Sequence, residues 1–273
     1  MIKAVTILLR RLRAFVARDF QLAVSYRMEF FMRVLSILIV VTTLFFISRI
    51  FAGFTEIEFS QWRNPLAAWL TGLAVLNYFM TGFSSLANAI RQEQMQGTLE
   101  SVLLTPVSVP TVIVASSAWD FVQVTFYSFL YLFFGWLFFD IHYQGNFALA
   151  LLFLILTTLV LACLGILSAS FAMVFKRGEP FGIFLGAGSA LFSGVFFPTQ
   201  LLGEGFGKVS RILPPTYGLD GIRRVLIEGQ GLSQVREPLM TLLLFLAVLL
   251  PFSLWVFGRA VRRAKREGSL IQY

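Results

Sequence analysis

Long runs of apolar residues, separated by short polar stretches, dominate the chain. A run of about 20 apolar residues is long enough to cross the roughly 30 Å hydrocarbon core of a bilayer as a helix. We place six such runs at residues 30–51, 66–89, 109–139, 147–175, 181–197 and 239–257. The fifth run is short and rich in glycine. The pattern predicts an all-α integral membrane protein with six transmembrane helices.

In residues 1–20, the apolar positions recur at helical spacing instead of forming one continuous run. On a helical wheel, one face is apolar and the opposite face carries Lys3 and four arginines. The apolar positions are Ile2, Val5, Leu8, Leu9, Leu12, Phe15, Val16 and Phe20. We therefore expect residues 1–29 to form an amphipathic helix in the membrane interface, either as a simple anchor or also as a contact for a cytoplasmic partner. Residues 30–258 form the six-span domain, and residues 259–273 form a basic tail.

Composition and charge agree with a membrane protein. Hydrophobic residues make up 58% of the chain and charged residues 13%, where a soluble domain carries about 25% charge. The net charge of +8 does not indicate nucleic acid, because the basic residues cluster at the ends of the spans. By the positive-inside rule, this distribution places both termini in the cytoplasm, with the chain embedded in the lipid of the cell (inner) membrane.

A polar segment, residues 91–108, joins the second and third runs. Gly97 breaks the preceding helix, and Thr98 can cap a new one by accepting a backbone N–H. Glu100 then lies in the first turn, where the helix dipole favours a negative charge, and Pro106 ends the helix. A short, capped, amphipathic helix at the cytoplasmic surface suits docking in a groove of another protein. A plain interfacial loop against lipid is the alternative.

The same segment resembles the cytoplasmic loop of ABC-2 type transporter permeases, the family of the daunorubicin-resistance and nodulation-factor export permeases. The resemblance lies in the run R-x-E-x-x-x-G-T-L-E-S-V-L-L-T-P-V-S, and the length, the spans and the long external loop before the last span extend it over the whole chain. It implies that this loop contains the coupling helix, which docks into the ATP-binding subunit. The residues carried over are Arg91, Glu93, Gly97, Thr98, Leu99 and Glu100.

The resemblance also implies an assembly: a homodimeric, sometimes heterodimeric, permease with two copies of the ABC ATP-binding subunit. ATP and Mg²⁺ would be bound by that partner, and we expect no cofactor in this chain. The sequence contains no G-x-x-x-x-G-K-[ST] phosphate-binding loop. We therefore expect a transport subunit without its own ATPase site, which exports an amphipathic drug, lipid or lipid-linked glycan from the cytoplasm or inner leaflet.

The segment before the last run, residues 196–231, is rich in helix-breaking residues. Two short helices are predicted, at residues 200–213 and 217–228. The pattern P-P-T-Y-G-L-D-G-I-R-R resembles the external re-entrant region of the family, which would be a structural element, a gate for substrate release, or both. Asp220 is spaced to pair with Arg223 or Arg224. The residues assigned to this region are Pro198, Pro214, Pro215, Tyr217, Asp220 and Arg223.

The third run carries a polar stripe. Ser116, Asp120, Gln123 and Tyr127 follow one another at helical spacing, so they share one face. A carboxylate inside a membrane span is a functional candidate, and we assign Ser116, Asp120 and Gln123 to a substrate path or a subunit contact. The alternative places Asp120 at the headgroup level, because this helix is long enough to project from the membrane.

The glycines of the fifth run suggest close helix packing. Gly182 and Gly186 form a G-x-x-x-G pair, which lets two helices approach closely. The pair belongs either to the wall between two permease copies, built with spans one, two and five, or to packing within one subunit.

Two other classes of protein fit the sequence less well. A membrane-embedded enzyme is disfavoured by a single histidine, His142, and by the absence of H-E-x-x-H and G-x-S-x-G motifs. The single Cys163 offers no metal site. An ATP-independent transporter would be expected to place charged or broken helices at the midplane, and only the third run offers such a feature.

Overall fold

The structure, a computed structural model, describes residues 20–21, 25, 27–52, 64–95, 109–175 and 179–267. Side chains at residues 51–52, 87, 90–95, 109–116, 172–175, 179–185, 204 and 264–267 lie outside the description. All regular structure in the described ranges is helical, which confirms the all-α membrane fold. The helices are α1 (Arg27–Ala52), α2 (Pro65–Met95), α3 (Val109–Phe139), α4 (Phe147–Phe175), α5 (Glu179–Phe192), α6 (Gly203–Ile212), α7 (Pro214–Leu226) and α8 (Arg236–Glu267), with a 3₁₀ turn at Thr199–Leu202.

Five of these helices are long and apolar enough to cross a membrane: α1, α2, α3, α4 and α8. They correspond to the first four predicted spans and the last one. The predicted fifth span corresponds to α5, which has 14 residues and ends at Phe192 instead of residue 197. At 1.5 Å per residue it covers only about 21 Å, less than the hydrocarbon thickness. Gly194, at a φ of +82°, takes the chain out of the helix shortly after it.

Helices α2 and α4 each begin next to an asparagine whose side chain caps the first turn. Asn64 accepts a hydrogen bond on Oδ1 from the backbone N–H of Ala67 at 3.1 Å, and Pro65 occupies the first helical position. Asn146 accepts on Oδ1 from Ala148 at 2.9 Å. Each side chain satisfies a backbone donor that the first turn of a helix leaves free, and proline is tolerated where such a donor is not needed.

Helix α2 lies at the centre of the bundle and packs against α3, α4, α5 and α7. Its phenylalanines Phe79 and Phe83 are buried together with Phe153 of α4. A Cβ atom on Gly165 of α4 would overlap the carbonyl oxygen of Gly82 in α2, so the two backbones touch at this crossing. Small residues such as glycine allow helices in a membrane to approach each other this closely.

The two short helices predicted before the last span are present, with shifted boundaries. The first is divided between the 3₁₀ turn and α6, and the second, α7, begins at Pro214 instead of residue 217. Two prolines can open a helix because the first backbone N–H groups have no partner within it. Helix α8 extends beyond the predicted last span to Glu267, so the first part of the basic tail is helical.

Candidate functional site

A polar cleft lies between α1, α2 and α3, with a volume of about 370 Å³. Most of its walls are formed by hydroxyl and amide side chains. They are Arg33, Ser36 and Ile37 of α1, Asn77, Thr81, Ser84, Ser85 and Asn88 of α2, and Asp120, Gln123, Val124, Tyr127 and Tyr131 of α3. All three helices are candidate membrane spans, so the cleft brings polar groups into the membrane-spanning bundle.

In the structure, the polar stripe of the third run faces other polar groups. Asp120, Gln123 and Tyr127 all line it, whereas the side chain of Ser116 lies outside the described residues. Facing them is a matching stripe on α2, which the sequence analysis missed. Asn77, Thr81, Ser84 and Asn88 recur at the same spacing as the α3 stripe, and that periodicity was the available signal.

Helix geometry gives the depth of the cleft. From Asn77 to Asn88, α2 rises by about 16 Å, roughly half of the hydrocarbon thickness. Asn88 lies near the end of α2 and Asp120 in the first half of α3, so the cleft reaches toward the end of the bundle that carries segment 96–108. Phe20, on the predicted apolar face of the N-terminal helix, packs against Trp119 of α3 at a ring distance of 5.9 Å. Phe20 thus contacts α3 beside Asp120.

Several polar groups of the cleft are bonded within the protein. Arg33 lies over the ring of Tyr127, with 4.8 Å between the guanidinium carbon and the ring centre. Asn77 donates to the carbonyl of Leu73 at 2.9 Å, and Ser84 to that of Met80 at 2.6 Å. These bonds lower the cost of placing polar side chains in an apolar bundle.

Two hydrogen bonds hold α2 against α3 behind the cleft. The hydroxyl of Tyr78 donates to Oγ1 of Thr125 at 2.8 Å. The hydroxyl of Ser128 donates to the carbonyl of Ala74 at 2.7 Å. Hydrogen bonds between helices of this kind stabilise membrane bundles by about 1 kcal/mol each, so these two bonds favour the observed pairing of the two stripes.

The re-entrant region is organised by Arg223 of α7. Its Nη1 donates to the carbonyl of Gly194 at 2.5 Å, its Nη2 to Val195 at 3.0 Å, and its Nε and Nη2 to Ala68 at 3.2 and 2.8 Å. The indole of Trp69 donates to the next carbonyl, Phe196, at 2.7 Å. The non-helical backbone after α5 therefore receives donors from α7 and α2, as backbone away from water requires.

The charge state of this arginine fits its role. Burial lowers the pKa of Arg223 to about 9, and the nearby Asp220 carboxylate opposes that change. The guanidinium therefore remains protonated at neutral pH, and every N–H in these contacts is a donor. Gly72 provides the space, because a Cβ atom there would lie 2.8 Å from Nη2 of the guanidinium.

The other residues assigned to this region have structural contacts. Asp220 pairs with Arg224, at 2.9 Å between Oδ2 and Nη2, which is one of the two partners that the spacing allowed. Burial raises the pKa of Asp220, and Arg224 opposes the change. Tyr217 donates its hydroxyl to the carbonyl of Arg211 at 2.9 Å, tying α7 to α6. Pro198, Pro214 and Pro215 are buried at the turns.

The predicted coupling segment falls largely outside the described residues. Gly97, Thr98, Leu99 and Glu100 lie in that part of the chain. Arg91 and Glu93 belong to the last turns of α2, and their side chains are not described. Segment 96–108 therefore connects the end of α2 to the start of α3, the two helices that carry the polar stripes.

Of the two paired glycines of α5, the structure describes the surroundings of Gly186. A Cβ atom on Gly186 would lie 2.5 Å from Sδ of Met80 in α2. Gly186 thus packs within the same chain, while the side-chain surroundings of Gly182 lie outside the description.

Comparison with protein families identifies the family of the chain. The family model for ABC-2 type transporters matches residues 10–227, about four fifths of the chain. A search among curated proteins finds no match. Membrane domains of this family are permease components of ABC transporters, and the ATPase activity lies in a partner. The chain, which has five long apolar helices within the part that the structure describes, therefore belongs to the ABC-2 type transporter family as a multi-pass membrane permease component.

Proposed function

We propose that this permease exports an amphipathic molecule, such as a drug, a lipid or a lipid-linked glycan, from the cytoplasm or the inner leaflet of the cell membrane. The cleft between α1, α2 and α3 carries the proposal. It offers polar groups over about 16 Å of helix length inside a bundle whose outer surface is apolar. An amphipathic substrate uses both surfaces, because only its polar part needs shelter from hydrocarbon.

In this proposal the cleft opens toward the cytoplasm. The basic N-terminal segment, Arg91 and the basic tail lie on one side if the positive-inside rule applies. Asn88 and Asp120 line the part of the cleft nearest to segment 96–108, and that segment is then cytoplasmic. Substrate would enter at this end and leave past the re-entrant region on the opposite side.

The ATP-binding subunit docks on segment 96–108 in this proposal. The segment joins α2 to α3, so a push from the ATPase moves both polar stripes relative to α1. The contacts of Tyr78 and Ser128 hold α2 and α3 together, and this favours movement of the two helices as a pair. The motif residues Glu93 and Glu100 would make the contact with the partner.

We further propose two permease copies with two ATP-binding subunits. Helix α1 leaves an apolar face exposed, which includes Phe31, Ile39 and Phe46. This face is suited to lipid or to a second copy. A second copy placed there would complete the wall of the path next to the cleft.

Charge reversal in the coupling segment tests this proposal. Glu93→Lys or Glu100→Lys, co-purified with the ATP-binding subunit, is expected to abolish substrate-stimulated ATP hydrolysis while the permease still folds, since the docking contact would meet the wrong charge. Glu228→Lys is the control, because this exposed glutamate lies after α7. Unchanged stimulated hydrolysis and transport in both coupling variants would remove this segment from the mechanism.

The composition of the complex is a second measurement. Native mass spectrometry of the active complex is expected to show two permease chains with two ATP-binding chains. One permease copy per active complex would refute the dimer, and a permease active without any ATPase would refute the ABC mechanism.

A further inference from the structure

We propose that the last turns of α8 bind an anionic phospholipid, whose phosphate contacts two arginines and whose acyl chain lies along the exposed apolar face of the same helix. We call this surface the lipid stripe; its residues are Leu244, Val248, Phe252, Trp255, Arg259 and Arg262. The residues that line the polar cleft belong to α1, α2 and α3, so this inference does not depend on the proposed transport function.

The lipid stripe occupies a face of α8 that the bundle leaves uncovered. Its residues recur at intervals of three or four, so they follow one another along one side of the helix. Leu244, Val248 and Trp255 are 66%, 60% and 53% exposed. Ser253 and Phe257, on the opposite side of the helix, are buried. The exposed side therefore offers a continuous apolar surface to a lipid chain.

The length of α8 places the arginines of the stripe at the edge of the hydrocarbon. From Leu239, where the predicted last span begins, to Arg259, the helix rises by about 30 Å, the thickness of the hydrocarbon core. Trp255 lies one turn before this edge, and tryptophan is typical of that depth. The rise from Leu244 to Trp255 is about 16 Å, close to one leaflet. A lipid chain beside these residues would bring its headgroup to Arg259.

Arg259 is already oriented by a contact with the stripe. Its guanidinium carbon lies 3.8 Å from the centre of the Trp255 ring, which is a cation–π contact. Stacking uses the face of the guanidinium, so N–H groups in its plane remain available, and these can bind two phosphate oxygens at once. Arg262 follows on the same side of the helix and is also exposed. A phosphate beside them would meet two cations.

The local balance of charge favours an anion. Residues 259–266 include five basic residues and no acidic one. The neighbouring helix α4 contains no acidic residue either. Within the described part of the chain, Arg259 and Arg262 form no ion pair. Basic residues beside a span attract anionic headgroups, and here two of them have no carboxylate partner that a headgroup would need to displace.

A protein with an acidic surface, such as a water-soluble subunit, is the alternative occupant. It fits less well, because Arg259 stacks on Trp255 and the stripe continues from there into exposed apolar side chains. A water-soluble partner can reach the end of α8 but not the side of the helix that lies in hydrocarbon. The combination of an apolar face and adjoining arginines matches a molecule that has both an acyl chain and a phosphate.

Two lipids with the same acyl chains test the proposal. Native mass spectrometry of the full-length permease would compare dioleoyl phosphatidylglycerol with dioleoyl phosphatidylcholine. We expect the first phosphatidylglycerol to bind about twenty- to thirtyfold more tightly. Arg259→Gln and Arg262→Gln should each weaken its binding about fivefold, and the double variant should remove most of the preference. Arg236→Gln is the matched control, since Arg236 is exposed at the opposite end of α8.

Trp255→Leu separates a built site from diffuse attraction between charges. It keeps the apolar surface and every charge but removes the ring that orients Arg259, so phosphatidylglycerol should bind about two- to fivefold more weakly. Unchanged affinity in this variant would overturn the site. Equal binding of the two lipids would also overturn it, and so would an effect of Arg236→Gln as large as that of Arg259→Gln.

Two further measurements exclude other ligands. Glycerol 3-phosphate, which has the phosphate without the chains, should not displace the bound lipid even in large excess. Displacement would show that free phosphate compounds occupy the surface, which contradicts a lipid site. Copurification of the ATP-binding subunit with the Arg259→Gln, Arg262→Gln double variant should be unchanged. Loss of that subunit together with unaltered lipid binding would make the stripe a protein contact and overturn the proposal.

Discussion

Single side chains hold together the non-helical parts of this permease. Arg223 forms four hydrogen bonds to three carbonyl groups, two of them in the segment after α5 and one in the first turn of α2. The planar guanidinium fits this task because its donors point in several fixed directions. A nearby arginine, Arg224, has a different role, since it pairs with Asp220 at the protein surface.

The two neighbouring arginines allow a matched test. Arg223→Lys is expected to lower the free energy of unfolding by at least about 2 kcal/mol, because one ammonium cannot reach three carbonyls and a charge-assisted hydrogen bond contributes about 1.5–3 kcal/mol. Arg224→Lys should change it by less than about 1 kcal/mol, as for other partly exposed ion pairs. Thermal unfolding in nanodiscs, followed by tryptophan fluorescence, measures both. Equal effects of the two substitutions would contradict the bridging role of Arg223.

At the scale of elements, the bundle depends on how closely α2 approaches its neighbours. The crossing of α2 and α4 brings Gly82 and Gly165 into backbone contact, and α3 is joined to α2 by the bonds of Tyr78 and Ser128. Helix α2 therefore carries one wall of the cleft while it also supports the core. Displacing it would alter both.

One chemical change at two glycines tests this packing. Gly165→Ala should destabilise the protein by about 1–3 kcal/mol, because its Cβ atom overlaps the carbonyl of Gly82. In Gly188→Ala, the Cβ atom added to α5 would have no other atom within 4 Å. It should stabilise the helix by up to about 1 kcal/mol, since alanine loses less backbone freedom than glycine. The midpoint of thermal unfolding should fall in Gly165→Ala and rise in Gly188→Ala. A shift of the same sign in both variants would contradict the close contact between α2 and α4.

At the scale of the whole molecule, the orientation in the membrane decides which end of the cleft meets the ATP-binding subunit. The single cysteine, Cys163, is buried, and Cys163→Ser provides a background without thiols. Two cytoplasmic termini require a sixth crossing, which α5 and the segment after it would make. In that background, a membrane-impermeant maleimide should then label Ser269→Cys only from the cytoplasmic side and Gln230→Cys only from outside. The opposite pattern would invert the topology, and the coupling segment would then face away from any cytoplasmic ATPase.

The sequence by itself determined the class of the protein and most of its helices. Length and apolar composition decide whether a segment can lie in a bilayer, and these are local properties, so five spans and the two short helices before α8 were predicted. The stripe on α3 was predicted for the same reason, because a helical period places Asp120, Gln123 and Tyr127 on one face. The matching stripe on α2 had the same period and was overlooked.

Only the tertiary structure decided what these faces meet. It showed that the stripes of α2 and α3 form one cleft with Arg33, that Gly186 packs against Met80, and that α5 ends at Phe192. It also showed that Arg224 forms an ion pair with Asp220, whereas Arg223 donates to three backbone carbonyls. The physical reason is that spacing along a helix fixes direction but not distance to other helices. The carbonyls that bind Arg223 lie 28, 29 and 155 residues away in the chain, and only packing brings them together.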